Sequence, residues 1–163
     1  MTATATQDQA AGVPDEVGSL ELGQIGQSLG FLLRLSQIEI FEMFYRALSR
    51  YDMKPGEFSI LYVIHLNPGV RQGALAERLM IKRAHMTKLI RLYEGRGLVA
   101  RTIPEDNRRT VHLHLTDEGE RFVSENARVF LGYIHQETDR LTPAEADELT
   151  RLLRKFLGLE GTP

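Results

Sequence analysis

The sequence of 163 residues contains no cysteine, which excludes disulfide bonds, thiolate metal ligands and thiol-based redox sensing. No apolar run approaches the roughly 18–20 residues that a membrane span requires. Residues 1–19 lack a basic segment followed by an apolar one, so we expect a mobile tail there and not a secretory signal. These absences, together with 42% apolar residues, predict a cytoplasmic protein with a core of ordinary size.

Catalytic and metal-binding motifs are also missing. There is no Gly-rich phosphate loop, no nucleophile–base motif and no carboxylate pair in a recognisable context. His112 and His114 fall on one face of a predicted strand, but no third His or acid has the spacing of a metal ligand. We therefore predict neither enzymatic activity nor a cofactor nor a bound metal.

Charge is distributed unevenly along the chain. The net charge is −2, yet residues 71–109 contain ten Lys and Arg against four Asp and Glu, a net charge of +6. The remaining residues carry ten basic against eighteen acidic side chains, a net charge of −8. A basic centre between acidic ends indicates a surface for phosphate, although a solvated helix face would give the same charge run.

Apolar residues at helical spacing predict six helices, and the helix ends carry suitable residues. Pro55 fits the first turn of the second helix, Gly97 fits a left-handed cap after the fourth, and Thr116 fits the N-cap of the fifth. Thr142-Pro143-Ala144-Glu145 has the pattern of a capping box with Pro at the first helical position. The predicted ranges are 20–50, 56–66, 72–79, 83–96, 117–139 and 143–157.

The central segment, residues 54–116, is predicted to be a winged helix-turn-helix. The third and fourth helices of the chain lie in this segment, and they are short and close together in sequence. Met80 occupies the turn between them, where glycine is usual in a helix-turn-helix. Two β-runs, 98–103 and 109–115, flank a polar tip and form the wing. The predicted fold class is mainly α with a small β-wing, preceded by a tail (1–19) and an N-terminal helix (20–53) and followed by C-terminal helices (117–158).

The fourth helix has the two faces that a DNA-recognition helix needs. Its apolar positions face the preceding helices, and its polar positions face away from them. The first turns of such a helix reach base edges in the major groove, and neighbouring cations bind phosphate. We expect base contacts from Arg83 with His85 or Thr87; the predicted DNA-binding set on and near this helix is Arg71, Lys82, Arg83, Ala84, His85, Thr87, Lys88 and Arg91. A solvated surface charge is the alternative at each cation.

The wing tip places Arg108 and Arg109 where packing does not require them. An arginine on a narrow hairpin suits the minor groove, whose negative potential attracts it. We therefore add Arg108 and Arg109 to the DNA-binding set. The alternative is a structural clasp, in which Asp106 holds one of these arginines within the turn.

Four segments carry a specific pattern: Leu75-Ala76-Glu77-Arg78-Leu79, Thr87-Lys88-Leu89-Ile90, Glu94-Gly95-Arg96-Gly97-Leu98-Val99 and Asp106-Asn107-Arg108-Arg109-Thr110-Val111-His112-Leu113-His114-Leu115-Thr116. They resemble the MarR family of multiple-antibiotic-resistance regulators, and the likeness extends from about Leu29 to Leu157. The family's wing has Asp-x-Arg followed six residues later by Leu-Thr. Here Arg109 and Leu115-Thr116 match, whereas Asn107 occupies the Asp position and Lys82 replaces a common capping Ser.

The resemblance implies an obligate homodimer formed by the first helix and the last two helices. The apolar stripes at both chain ends agree, because no third layer is predicted to cover them. We expect dimer contacts from Leu22, Ile25, Leu29, Val129, Tyr133, Leu149, Leu152 and Phe156. Such a dimer requires a pseudo-palindromic double-stranded DNA site with half-sites about one turn apart.

The resemblance also implies a small aromatic or anionic effector, such as an aromatic acid or an acyl thioester. Arg34, Ile38, Phe41 and Tyr45 share one stripe of the first helix, and His65 ends the second. We predict effector contacts from Arg34, Phe41, Tyr45 and His65. The alternative is that both aromatics are core or dimer contacts and that His65 is a buried, hydrogen-bonded side chain.

The leading hypothesis is a homodimeric transcriptional repressor that such an effector releases from its operator. One alternative is a winged helix used for protein docking, which the basic segment and the wing arginines disfavour. The other is a DNA-binding regulator that responds to no ligand.

Overall fold

The computed structural model describes residues 20–51, 53–105 and 110–159. The chain divides into two units, with the boundary after Glu39. None of the described helices combines the length and the apolar character needed to cross a membrane. The described elements are α1 (Leu29–Leu48), α2 (Glu57–Leu66), β1 (Val70–Arg71), α3 (Gln72–Arg78), α4 (Arg83–Gly95), β2 (Val99–Thr102), β3 (His112–Leu115), α5 (Asp117–Ile134) and α6 (Pro143–Phe156), with 3₁₀ helices at Gly23–Gln27, Ser49–Tyr51 and His135–Thr138.

The described part of the first unit contains a 3₁₀ helix followed by the start of α1. We predicted a continuous helix from Leu20, and this is wrong, because Ser28 is extended (ψ 121°) between the two elements. Gly23, with φ +50°, and Gly26 have little helix propensity, which explains the late start of α1. Phe31 is half-buried, whereas the following large apolar side chains of this unit are 37–55% exposed: Leu20, Leu22, Ile25, Leu29, Leu32, Leu33, Leu35 and Ile38.

The second unit contains the hydrophobic core. Within this core the rings of Phe58 on α2 and Phe130 on α5 stack with centroids 4.1 Å apart and planes 5° from parallel. Each large side chain buried in such a core contributes about 1.5–3 kcal/mol to stability. The buried members are Phe44, Leu48, Met53, Phe58, Ile60, Leu61, Ile64, Leu75, Ala76, Met86, Leu89, Ile90, Tyr93, Leu98, Val99, Leu113, Val123, Phe130 and Tyr133.

The predicted helix-turn-helix is present, and its turn forms without glycine. Met80 adopts the left-handed conformation, with φ +54°, and its side chain is 76% exposed. The backbone N–H groups of Met80 and Ile81 donate to the carbonyls of Glu77 and Ala76, at 3.1 and 2.8 Å. These bonds hold a conformation that costs a residue with a side chain about 1–2 kcal/mol.

The wing contains a strand that the sequence did not predict. The antiparallel sheet has the order β1-β3-β2, and β1 pairs Val70 with Leu113. Two residues are too few to show an alternating pattern, which is why β1 was missed. The two predicted strands are shorter than expected. Asp106, Asn107, Arg108 and Arg109 lie outside the described residues.

Two further helix ends differ from the prediction, whereas the predicted caps at Gly97, Thr116 and Thr142 are confirmed. Gly56, with φ +83°, is the N-cap of α2, so Pro55 precedes the helix and does not start it. A 3₁₀ helix follows α5 where we had predicted α-helix to residue 139. The capping box of α6 is confirmed, with Thr142 N donating to Glu145 at 2.8 Å.

Tyr133 lies in the core, where we had predicted a contact between two chains. Its side chain is 6% exposed, its hydroxyl donates to the Ile40 carbonyl at 2.6 Å, and its ring meets the Phe44 ring edge-on. Val129 is half-buried against the same core. Both residues face inward because α5 packs against α2 on this side. On α6, which buries none of its residues, Leu149, Leu152 and Phe156 are 44–66% exposed.

Gly119 lies where α5 passes close to the segment that leads into β2. A Cβ at this position would be 2.0 Å from the carbonyl oxygen of Leu98. We expect Gly119→Ala to lower the free energy of unfolding by about 1–3 kcal/mol, because the backbone must move to make room. Urea denaturation measures the change.

The control is Gly132→Ala in the same helix, where nothing lies within 4 Å of the added Cβ. Alanine favours a helix over glycine by about 1 kcal/mol, so this variant should be as stable as the parent or more stable. Equal losses in the two variants would contradict the steric explanation.

Candidate nucleic-acid interface

Helix α4 has a buried apolar face and an exposed basic face. Its apolar residues Met86, Leu89, Ile90 and Tyr93 are at most 7% exposed. The Tyr93 hydroxyl donates to the Glu57 carbonyl at 3.3 Å, and burial raises its pKa, so it stays protonated. This packing fixes the orientation of α4 and leaves the following residues exposed at and after its N-terminus: Lys82, Arg83, Ala84, His85, Lys88 and Arg91.

The N-terminus of α4 is positively charged and lacks a side-chain cap. Lys82 is the N-cap residue, its side chain makes no capping hydrogen bond, and the first turn contains no acidic residue. Free N–H groups and the helix dipole add positive potential to that of Lys82 and Arg83. The surface is therefore suited to anionic groups.

A cleft beside α4 brings two predicted DNA-binding residues together. Arg71 on β1 and Arg83 on α4 both line this cleft, whose volume is about 360 Å³. The rest of its lining includes Gln72, Glu77 and Thr110. The short strand β1, which the sequence did not predict, places Arg71 here through its pairing with β3.

Gln72 connects α3 to α4, and the sequence did not predict this contact. Its Nε2 donates to the Thr87 hydroxyl at 3.0 Å, and that hydroxyl donates to the Arg83 carbonyl, also at 3.0 Å. The Thr87 hydroxyl, which we had considered for base contact, is thus engaged within the protein. The Oε1 atom of Gln72 is buried and has no partner among the described residues. One glutamine gives no periodic signal, so only the tertiary structure shows this contact.

The four predicted effector residues are not gathered around a described cavity. Phe41 and Tyr45 are 39% and 48% exposed, and Arg34 belongs to the first unit. His65 Nδ1 lies 2.6 Å from Glu120 Oε2, so its partner is the first turn of α5.

A different cavity, of about 290 Å³, lies within the second unit between α2, α5 and the end of α1, and we call it the aromatic cavity. Three aromatic pairs frame it, including the Phe58–Phe130 stack. Gly56 and Ser59 are exposed, so the cavity is open on the α2 side. Its lining is Phe44, Gly56, Phe58, Ser59, Tyr62, Val63, Phe130, Leu131, Tyr133, Ile134 and Glu137.

The electrostatics of this cavity depend on Glu137. Burial raises the pKa of its carboxyl. The pKa of Tyr133 is raised by burial and then by the charge of Glu137, whereas the charge of Arg46 opposes the shift. Arg46 does not line the cavity, and no Lys, Arg or His is among the described residues that do.

Comparison with known proteins identifies the family. Residues 53–111 match the MarR family model. The chain is also 33% identical, over 145 residues, to a putative transcriptional regulatory protein for the hcr operon of Thauera aromatica, covering 86% of each chain. This protein belongs to the MarR family. MarR proteins are DNA-binding transcriptional regulators and not enzymes. The exposed basic face of α4 therefore belongs to a protein that binds DNA.

Solved structures agree with the MarR fold. The transcriptional repressor CouR bound to a 23-mer DNA duplex has a TM-score of 0.77 and 29% identity, covering 85% of this chain and 98% of CouR. CouR bound to p-coumaroyl-CoA has a TM-score of 0.73 and 27% identity, covering 85% and 97%.

We expect Gln72→Leu to weaken binding to the DNA upstream of the protein's own gene about threefold to tenfold, since one hydrogen bond contributes about 0.5–1.5 kcal/mol. The dependence of affinity on salt should not change, because no charge is lost. Fluorescence anisotropy of labelled DNA at several salt concentrations measures both quantities.

Thr87→Val should have a similar effect, and the double variant should be no weaker than the weaker single variant, as expected for two partners of one bond. Gln136→Leu, at an exposed position of the last 3₁₀ helix, is the matched control. A double variant that loses the sum of the two single losses would instead indicate that the two side chains act independently.

Proposed function

We propose that this MarR-family protein is a homodimeric, cytoplasmic repressor that binds a pseudo-palindromic operator and is released by a small aromatic effector. The exposed basic face of α4, held by its buried apolar face, carries the proposal. In this proposal residues 54–116 bind DNA, and residues 20–53 and 117–158 form the dimer.

The proposed DNA contacts divide into base reading and phosphate binding. Arg83, Ala84 and His85 occupy the first turn of α4, the part of a recognition helix that meets base edges. Lys82, Lys88, Arg91 and Arg71 are exposed around this turn and bind phosphate. Thr87 contributes by holding α4 through its hydroxyl. Arg108 and Arg109 enter the minor groove from the wing.

Exposed apolar side chains at both ends of the chain support a homodimer. In the first unit Leu22, Ile25 and Leu29 are 50–55% exposed, and on α6 Leu149, Leu152 and Phe156 are 44–66% exposed. Apolar surface of this extent marks an interaction site. A two-fold dimer would place two α4 helices in major grooves about one DNA turn apart.

The aromatic cavity between α2 and α5 supports an effector-responsive function. Its volume of about 290 Å³ suits one substituted aromatic ring. CouR, which has this fold, binds an aromatic thioester. Because Phe58 lines the cavity and follows Glu57, whose carbonyl accepts from Tyr93 of α4, a ligand in the cavity would lie close to the contacts that hold the recognition helix.

The decisive test of DNA binding uses the DNA directly upstream of the protein's own gene. A repressor should shift this fragment in a gel and protect a pseudo-palindrome from nuclease, whereas a protein-docking module should do neither. A regulator without a ligand would bind the DNA equally well in the presence of every aromatic compound tried.

We expect Arg83→Ala to lose about 1–3 kcal/mol of binding to the operator and to relax sequence preference at one position in each half-site. Binding to a panel of single-base operator variants measures this preference. Arg128→Ala, an exposed arginine on α5, is the control and should leave affinity and preference unchanged. Unchanged selectivity of Arg83→Ala would remove this residue from base reading.

We expect Leu152→Glu to shift the protein from dimer toward monomer, because a charge would be buried in an apolar interface. Analytical ultracentrifugation over a range of concentrations measures the dissociation constant. Thr150→Glu adds the same charge on the opposite side of α6 and should leave the dimer intact. Dimers of equal stability in both variants would exclude α6 from the interface.

A further inference from the structure

The aromatic cavity contains one ionisable carboxylate and no cation among the described residues that line it. We infer that it accepts an uncharged aromatic ring bearing a hydrogen-bond donor, such as a phenol hydroxyl, and rejects a ring that carries a carboxylate. This inference rests on the effector-responsive function proposed above and identifies the chemical class of the ligand.

The walls of the cavity favour an aromatic ring. Phe58 and Phe130 stack at 4.1 Å, Tyr62 continues this arrangement at 6.1 Å from Phe58, and Phe44 meets Tyr133 edge-on at 5.8 Å. Aromatic groups in such geometries attract one another beyond simple burial of area. A planar ring in the cavity would extend an arrangement that the protein already has.

Glu137 determines which substituent the ring can carry. Glu137 lines the cavity, and burial raises the pKa of its carboxyl, so the ionised form loses hydration that no cation among the described lining residues replaces. The charge of Glu137 also raises the pKa of Tyr133, which lines the same cavity. A second carboxylate would therefore enter a space with a negative potential.

A neutral hydrogen-bond donor on the ligand would be attracted to Glu137, whereas a ligand carboxylate would be repelled. The Glu137 carboxylate is an acceptor, and a hydroxyl of the ligand would supply the hydrogen bond that burial withholds. The Tyr133 hydroxyl does not compete for this position, because it donates to the Ile40 carbonyl at 2.6 Å. A ligand hydroxyl is therefore the group that best matches Glu137.

Calorimetric titration of the full-length protein at neutral pH tests the inference with three probes of similar size. These are 4-hydroxybenzamide, which is uncharged and has the hydroxyl, 4-hydroxybenzoate, which adds the carboxylate, and benzamide, which lacks the hydroxyl. We expect 4-hydroxybenzamide to bind most tightly and 4-hydroxybenzoate to bind about tenfold more weakly or worse, because like charges repel in a partly buried site. Benzamide should also bind more weakly than 4-hydroxybenzamide.

Glu137→Gln keeps the shape of the side chain and removes its charge. In this variant the preference for 4-hydroxybenzamide over 4-hydroxybenzoate should fall to about twofold or less. Glu125→Gln, an exposed position on α5 away from the cavity lining, is the matched control and should keep the full preference. Ser59→Phe, which fills the exposed opening, should abolish binding of all three probes without changing affinity for DNA.

Equal or tighter binding of 4-hydroxybenzoate to the parent protein would overturn the inference, as would an unchanged preference in Glu137→Gln. Binding of the upstream DNA is measured on the same samples without probe. If the DNA binds and no probe does, the cavity inference fails and the DNA-binding function stands. If the DNA does not bind, the proposed function itself fails.

Discussion

The stack of Phe58 on Phe130 is the contact on which the second unit depends. It joins α2, near the start of the winged segment, to α5, which follows that segment in the chain. The rings are nearly parallel at 4.1 Å, and Phe44, Tyr51 and Phe122 pack around them. Because protein interiors are close-packed, moving one of these helices would disturb the others.

This stack lies close to both proposed functional regions. On one side it forms a wall of the aromatic cavity. On the other, the residue before Phe58 receives the hydrogen bond from Tyr93, which is on the buried face of α4. The cavity and the recognition helix therefore contact two adjacent residues of α2, Phe58 and Glu57. A short connection between packed helices is the kind of physical link through which ligand binding changes affinity at a second site.

The DNA-facing surface depends on orientation as much as on charge. If α4 were rotated by half a turn, the arginine and lysine side chains at its start would point into the core instead of outward. Burial of Met86, Ile90 and Tyr93 prevents this rotation. Two further contacts hold this surface in place. The Gln72–Thr87 hydrogen bond ties the recognition helix to α3, and the pairing of β1 with β3 fixes the backbone of Arg71 on the sheet.

The sequence by itself determined the features that repeat along the chain or depend on neighbouring residues. The apolar spacing of α4 identified its buried face, Thr142 and Glu145 identified the capping box, and Gly97 identified the end of α4, where it has φ +70°. The four segments that resemble the MarR family, of which the wing is the most specific, were enough to predict the family. Local patterns succeed here because each residue meets neighbours three or four positions away.

Only the tertiary structure decided which distant residues meet. Tyr133 has the spacing of an exposed interface residue, yet its ring is packed against Phe44, and its hydroxyl donates to the carbonyl of Ile40, 93 positions away. The predicted effector residues Phe41 and Tyr45 are exposed, whereas Phe44 and Tyr62, on the same helices as predicted positions, line the cavity. Helical spacing gives the faces of a helix but not which face meets a partner, since that choice depends on the packing of all the helices together.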